Sequence, residues 1–234
     1  MPSNHNRSEE HFVPRILREE LQSDPELATS AISYSWIVKG RITKEFLVSC
    51  NQVLNIGCGH GRELVHLSPS AVGLDIDLEV LSTAKGISRR EVVLADASHL
   101  PFRDHVFDGV AIAEVIEHLS SPLGALLEMN RVLITDGKLV LQTPNRLVTL
   151  GVAISRGYGH KHEFIPTELS GYLSRTGFTV VKRTGSTIPY TPSTSRLQFL
   201  NEDHAFSIWK WVNRHFRLIT WDIIILALKK RESR

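Results

Sequence analysis

Only two cysteines occur in 234 residues, Cys50 and Cys58, and they flank one short apolar run. Neither their count nor their spacing supports a disulfide framework or a zinc site, and Cys58 reads as a small buried filler. Charge of one sign is equally scarce. Lys and Arg number 27 against 25 Asp and Glu, a formal net charge of +2, which is too mild to demand a nucleic-acid partner. Long hydrophobic runs are missing too. The longest, Ile223 to Leu228, is far too short to span a bilayer. The first residues, up to about position 30, are charged and lack the apolar stretch of a signal peptide, so the expected compartment is the cytoplasm. Internal repeats and low-complexity tracts are absent.

What is present is enough for one α/β domain with a substantial core, since 42% of the residues are hydrophobic. The chain is organised around Val53-Leu54-Asn55-Ile56-Gly57-Cys58-Gly59-His60-Gly61. An apolar run of strand length stops at Gly57, three glycines alternate, and Arg62 to Leu67 reads as an amphipathic helix. Glycine permits a sharp turn and lets a ligand approach the backbone. A helix opening here presents unpaired N–H groups to whatever lies over the loop. The third glycine of a dinucleotide fingerprint is replaced by Arg62, so a pyrophosphate fits poorly.

Two further acid-tipped runs follow. Ala71 to Asp75 ends on a carboxylate able to accept both hydrogen bonds of a ribose diol, with Ile76 as an apolar floor for adenine. Val92 to Ala97 places Asp96 and Ala97 at a third tip, suited to an adenine amino group. Leu78 to Lys85 reads as a helix closed by Gly86, and Phe107 to Ala113 as a fourth strand.

At this point the chain resembles the class I S-adenosylmethionine-dependent methyltransferases, in particular the type 11 subgroup that includes ubiquinone-pathway O-methyltransferases. The resemblance rests on LNIGCGHG (54–61), GLDID (73–77), LADASHLPF (94–102), FDGVAIAEVIEHL (107–119) and GKLVLQTPN (137–145). It implies an α/β, Rossmann-like fold: a seven-stranded, mostly parallel sheet with helices on both faces and an antiparallel last strand. It also implies S-adenosyl-L-methionine as cofactor, held by Asn55, Gly57, Gly59, Gly61, Asp75, Ile76, Asp96, Ala97 and Glu114. Asn55 departs from the pattern, since the family often carries an acid there.

The expected organisation is an N-terminal helical segment, 1–46, covering the cofactor site, and a methyltransferase domain, 47–234. Within the domain, about 184–218 reads as an insertion whose part 203–217 is an apolar helix with Lys210, Arg214 and Arg217 along one stripe. That helix suits the roof of an acceptor pocket, a weak contact with a membrane surface, or ordinary packing on the sheet edge.

Glu114, Glu117 and His118 lie at i, i+3 and i+4 if read as a helical turn, so all three face one point. Such a set serves as structural bracing, as a general base with an orienting carboxylate, or as a hard-cation site. Downstream, the glycine-rich segment around His160 and His162 offers a second base or a further ligand. A small-RNA 3′-end methyltransferase group carries a similar E-x-x-E-H with a histidine-rich loop, but a basic stripe with interleaved aromatics is missing here. His118 and His162 are the candidate catalytic bases, and no residue is assigned to a metal. The expected reaction is methylation of a hydroxyl on a small-molecule, sugar or lipid-linked acceptor, with oligomeric state left open. The alternatives are metal-assisted methylation of an RNA terminus and a non-catalytic cofactor-binding module.

Overall fold

The computed structural model describes residues 38–149, 159–185, 220 and 222–231. Most of the expected N-terminal helical segment and the helix at 203–217 lie outside the described residues. One helix, α1 (38–46), precedes a sheet built from β1 (Val53–Ile56), β2 (Val72–Asp75), β3 (Glu91–Leu94), β4 (Phe107–Ala113), β5 (Leu133–Pro144), β6 (Phe178–Thr184) and β7 (Asp222–Lys229). The helices α2 (Leu78–Ser88), α3 (Pro122–Val132), α4 (Arg146–Thr149) and α5 (Pro166–Arg175) connect them.

The sheet order is β3-β2-β1-β4-β5-β7-β6. The first five strands pair in parallel, and β7 runs antiparallel to both β5 and β6. This is the expected seven-stranded arrangement. The order reverses between β1 and β4, so the loops after these strands open a crevice where α/β sheets bind ligands.

Alternation along each strand divides the core into two layers. Leu54, Ile56, Val110, Ile112, Leu139, Leu141, Ile223 and Ile225 point to one face, where Leu126 and Met129 of α3 and Leu169 and Leu173 of α5 cover them. Val53, Ala111, Val140 and Ile224 point to the other, under Val38, Ile42 and Phe46 of α1. Burial on both faces explains why these strands read as unbroken apolar runs. Each fully buried Leu or Ile stabilises the domain by about 1.5–3 kcal/mol.

Local capping sets the helix ends. Asp77 accepts the Glu79 N–H at 2.8 Å to start α2, and the Ser121 hydroxyl accepts the Gly124 N–H at 3.2 Å ahead of Pro122 in α3. Helix α2 does not stop at Gly86. It continues to Ser88, and Arg89 takes the left-handed conformation (φ 53°) to cap it. The expected helix from Arg62 to Leu67 is only a single 3-10 turn, Leu64–His66. Glu63 turns inward to polar partners, and Pro69 follows too soon for a longer helix. Among the described residues, no helix is long and apolar enough to cross a membrane.

Candidate cofactor and acceptor site

The three loop glycines all take positive φ: 66° at Gly57, 48° at Gly59 and 83° at Gly61. They do so for different reasons. A Cβ on Gly57 would collide with the Val115 side chain, and one on Gly61 would lie 3.1 Å from the Ala84 backbone of α2. A Cβ on Gly59 would meet open space. The outer two glycines therefore let the loop pack inward, and the middle one bares its backbone to the crevice.

Asp75, at the tip of β2, fixes this loop. One carboxylate oxygen accepts the Gly59 N–H at 2.8 Å and the other the Asp77 N–H at 3.1 Å. Each oxygen keeps capacity for a second donor. Beside it Ile76 is 72% exposed, which leaves an apolar surface next to the acid. At the next tip the Asp96 carboxylate accepts the Ser98 N–H at 2.7 Å, while Ala97 is buried. A backbone opening at Gly59, an acid with spare acceptor capacity and an exposed apolar floor fit a ribose with its base. Cys58 is buried, and burial followed by the neighbouring Asp75 pushes its thiol up to about 12, as suits an inert filler.

Asn55 lies beneath the loop rather than in it. It is 1% exposed, and its amide donates to Glu63 at 3.0 Å. Glu63 in turn accepts from the Thr43 hydroxyl at 2.6 Å and from Gln142 at 3.3 Å. The acid missing at position 55 is thus supplied behind it by a residue eight positions on, and burial pushes that carboxyl's pKa up.

Glu114 also has partners that the sequence did not disclose. Its carboxylate meets the Lys39 ammonium of α1 at 3.1 Å, and Lys39 meets Asp222 of β7 at 3.2 Å. All three are buried. Burial pulls the Lys39 pKa down, but Asp222 and Glu114 together reverse this and raise it. Burial raises Glu114 to about 7 even though Lys39 opposes the shift. The backbone at Glu114 is left-handed (φ 54°), so Glu114, Glu117 and His118 do not form one helical face. Glu114 points to Lys39, and only Ile116–His118 form a 3-10 turn.

The histidine mouth differs from expectation in its membership. Glu117, His118 and His160 come together, with one ligand-type atom from each lying within 4.8 Å of the others. The His118 and His160 rings meet edge to face, centroids 4.8 Å apart. His162 is not in this group. Its ring stacks on Phe164 at 6.1 Å, and its backbone N–H donates to the Glu117 carbonyl at 3.0 Å. Burial lowers the pKa of His118, and burial with the adjoining His118 lowers His160 to about 4, so both rings are neutral at pH 7. The carboxyl of Glu117 is pushed well up by burial and then by Glu114.

Residues 54–141 match the family model of a methyltransferase domain. A malonyl-[acyl-carrier protein] O-methyltransferase of Legionella pneumophila is 36% identical over 50% of this chain and 46% of its own length. A probable S-adenosylmethionine-dependent methyltransferase of Mycobacterium tuberculosis is 27% identical over 74% of this chain and 73% of its own. The chain spans about half the length of the curated relatives it matches: 44%, 62% and 46% for three aligned at 35–38% identity. In fold, it superposes on an S-adenosylmethionine-dependent methyltransferase of Thermotoga maritima with a TM-score of 0.68 and 20% identity, covering 91% of this chain and 98% of that one. The glycine loop, the acid-tipped strands and the sheet order thus agree with the comparisons, and residues 54–141 form a methyltransferase domain of the class I S-adenosylmethionine-dependent kind.

Proposed function

We propose that this chain binds S-adenosyl-L-methionine across the tips of β1 to β4 and methylates a hydroxyl of a small-molecule, sugar or lipid-linked acceptor. The observation that carries the cofactor reading is Asp75, held by the Gly59 and Asp77 N–H groups with exposed Ile76 beside it. Asp75 takes the ribose hydroxyls, Ile76 and Ala97 flank the base with Asp96 near its amino group, and the Gly57–Gly61 loop follows the rest. Asn55 and Glu114 shape the far end from below, through Glu63 and Lys39.

When bound, the cofactor supplies a methyl group on an activated sulfonium. The chain then has to orient the acceptor in line, exclude water and deal with the hydroxyl proton. The mouth suits an oxygen acceptor because the neutral rings of His118 and His160 stand there, with His162 two positions further along the chain. One relative acts on an oxygen of malonyl-[acyl-carrier protein], which supports oxygen chemistry without naming this acceptor. Choice of acceptor falls to the segment at about 184–218, and α1 (38–46) supports the cofactor side through Lys39.

Calorimetric titration with S-adenosylmethionine and its demethylated product tests the reading. Micromolar binding that Asp75→Ala abolishes is the expected result, and it opens a screen of phenol and sugar acceptors. No binding to either compound would overturn the proposal.

A further inference from the structure

We propose that Glu117, His118 and His160 form a site for a borderline divalent cation of the zinc class at the acceptor mouth. The inference deepens the hydroxyl-transfer reading and assigns the two rings as ligands.

Three observations converge. First, the three side chains come from separate stretches that the fold brings together. Glu117 and His118 sit on the 3-10 turn after β4, and His160 arrives from the segment before α5. Two backbone bonds, from the Lys161 and His162 N–H groups to the Glu117 carbonyl (2.8 and 3.0 Å), stitch these stretches together. Second, Glu117 is 1% exposed, and its Oε1 has no hydrogen-bond partner among the described residues. A buried carboxylate oxygen left unpaired in this way is costly unless a cation or a proton meets it. Third, the supporting contacts already orient the donors. The Thr143 hydroxyl donates to Glu117 Oε2 at 2.9 Å, which fixes the carboxylate and leaves Oε1 as its unpaired oxygen. The Gly159 carbonyl lies 3.4 Å from His118 Nδ1, which favours the tautomer that leaves Nε2 as the donor to a metal.

The donor set selects the ion. Two imidazoles and one carboxylate suit zinc, cobalt or iron(II) rather than magnesium or calcium, which prefer oxygen alone. Bonds of about 2.0–2.2 Å require donors closer together than 4.8 Å, so the rings draw in slightly on binding. Glu114 takes no part, because Lys39 holds it away. Three protein donors among the described residues leave coordination positions for an oxygen from a substrate. The class of acceptor is therefore a hydroxyl able to bind a divalent ion.

The 234-residue chain, freed of metal by chelator and dialysis, is titrated with Co2+, followed by its visible absorption, and then back-titrated with Zn2+. One Co2+ per chain, displaced by Zn2+, is expected. Glu117→Gln and His160→Ala should each weaken Co2+ binding by at least about 10–100-fold, and Thr143→Val by about tenfold. Replacing the exposed histidine His99 by Ala should change nothing. Circular dichroism and cofactor titration of the same variants separate metal loss from misfolding. Glu117→Gln, the near-isosteric change, should keep both its fold and its cofactor binding. No Co2+ signal, or binding unaltered in Glu117→Gln and His160→Ala, would overturn the site. If cofactor binding survives that outcome, the methyltransferase reading stands without the metal.

Discussion

Lys39 Nζ lies 3.1 Å from Glu114 Oε1 across 75 residues of sequence, and both side chains are buried. The contact ties the last helix before the sheet to the residue just after β4, and Asp222 of β7 completes it from the other side. Breaking a buried pair from one side leaves the remaining charges uncompensated and costs about 3–5 kcal/mol. Lys39→Met should therefore lower unfolding stability in urea by roughly that amount, with the loss growing as pH rises and the two acids ionise. Adding Glu114→Gln and Asp222→Asn should recover most of it. An unchanged midpoint in Lys39→Met would show that the triad contributes nothing.

Glu114 gives the triad a pH signature. Its carboxyl sits near 4.5 in the unfolded chain and near 7 when folded, mainly through burial. Between those values the folded protein holds a proton that the unfolded chain has released. The contribution is full below about 4.5, is lost as pH rises through 7, and is flat beyond. The groups facing it are Lys39, Asp222, Glu63 and Glu117, and Glu117 shifts with the same sign. Wild type should therefore lose about 1–3 kcal/mol relative to Glu114→Gln between pH 5 and pH 7.5. Thermal melts of both proteins over that range measure the difference, and a gap that widens in favour of wild type would contradict the assignment.

The strands and the glycine loop were legible because they depend on local pattern. Val110 to Ala113 and Leu139 to Leu141 read as continuous apolar runs because both faces of the sheet are covered. Asp75 was legible because it ends such a run. The helical reading of Glu114, Glu117 and His118 failed at one backbone angle, the left-handed φ of Glu114, which periodicity does not encode. The polar interior was hidden for another reason. Lys39 and Glu114, or Thr43 and Gln142, meet only after the whole sheet is assembled, and none has a local signature. Separating His160 from His162 also needed the fold, since positions two apart in an irregular segment carry no fixed facing preference.

The loop glycines allow a sharp contrast. Gly57→Ala adds both left-handed strain and a collision with Val115. It should destabilise the fold by about 2–4 kcal/mol. Gly59→Ala meets open space, so its stability cost is only the strain, about 1–2 kcal/mol. On the proposed reading, its methyl group nevertheless stands where the cofactor crosses the loop. Cofactor affinity in Gly59→Ala should fall at least tenfold while the protein remains folded, as judged by calorimetry beside a thermal melt. Full affinity in that variant would move the cofactor away from the loop.

Arg131, near the end of α3, holds the loop that follows Asp96 and Ala97. Its guanidinium pairs with both oxygens of Glu128 at 2.7 and 2.8 Å and with Asp104 at 2.7 Å. It also donates to the Phe102 and Leu100 carbonyls at 2.8 and 3.0 Å. Glu128 returns the favour by accepting the Leu100 N–H at 2.8 Å, and its pKa is lowered chiefly by the hydrogen bonds from Arg131. Lysine keeps the charge but cannot reproduce a fork that meets two carboxylates and two carbonyls at once. Arg131→Lys should therefore cost about 1–2 kcal/mol, since the site is partly open to solvent and its ion pairs are screened. The more telling effect is local. Amide exchange over residues 98–104 should quicken while the core strands stay protected, and cofactor affinity should weaken several-fold because Asp96 and Ala97 lead directly into the loosened loop. If exchange there is unchanged, the adenine side of the crevice is held by something other than Arg131.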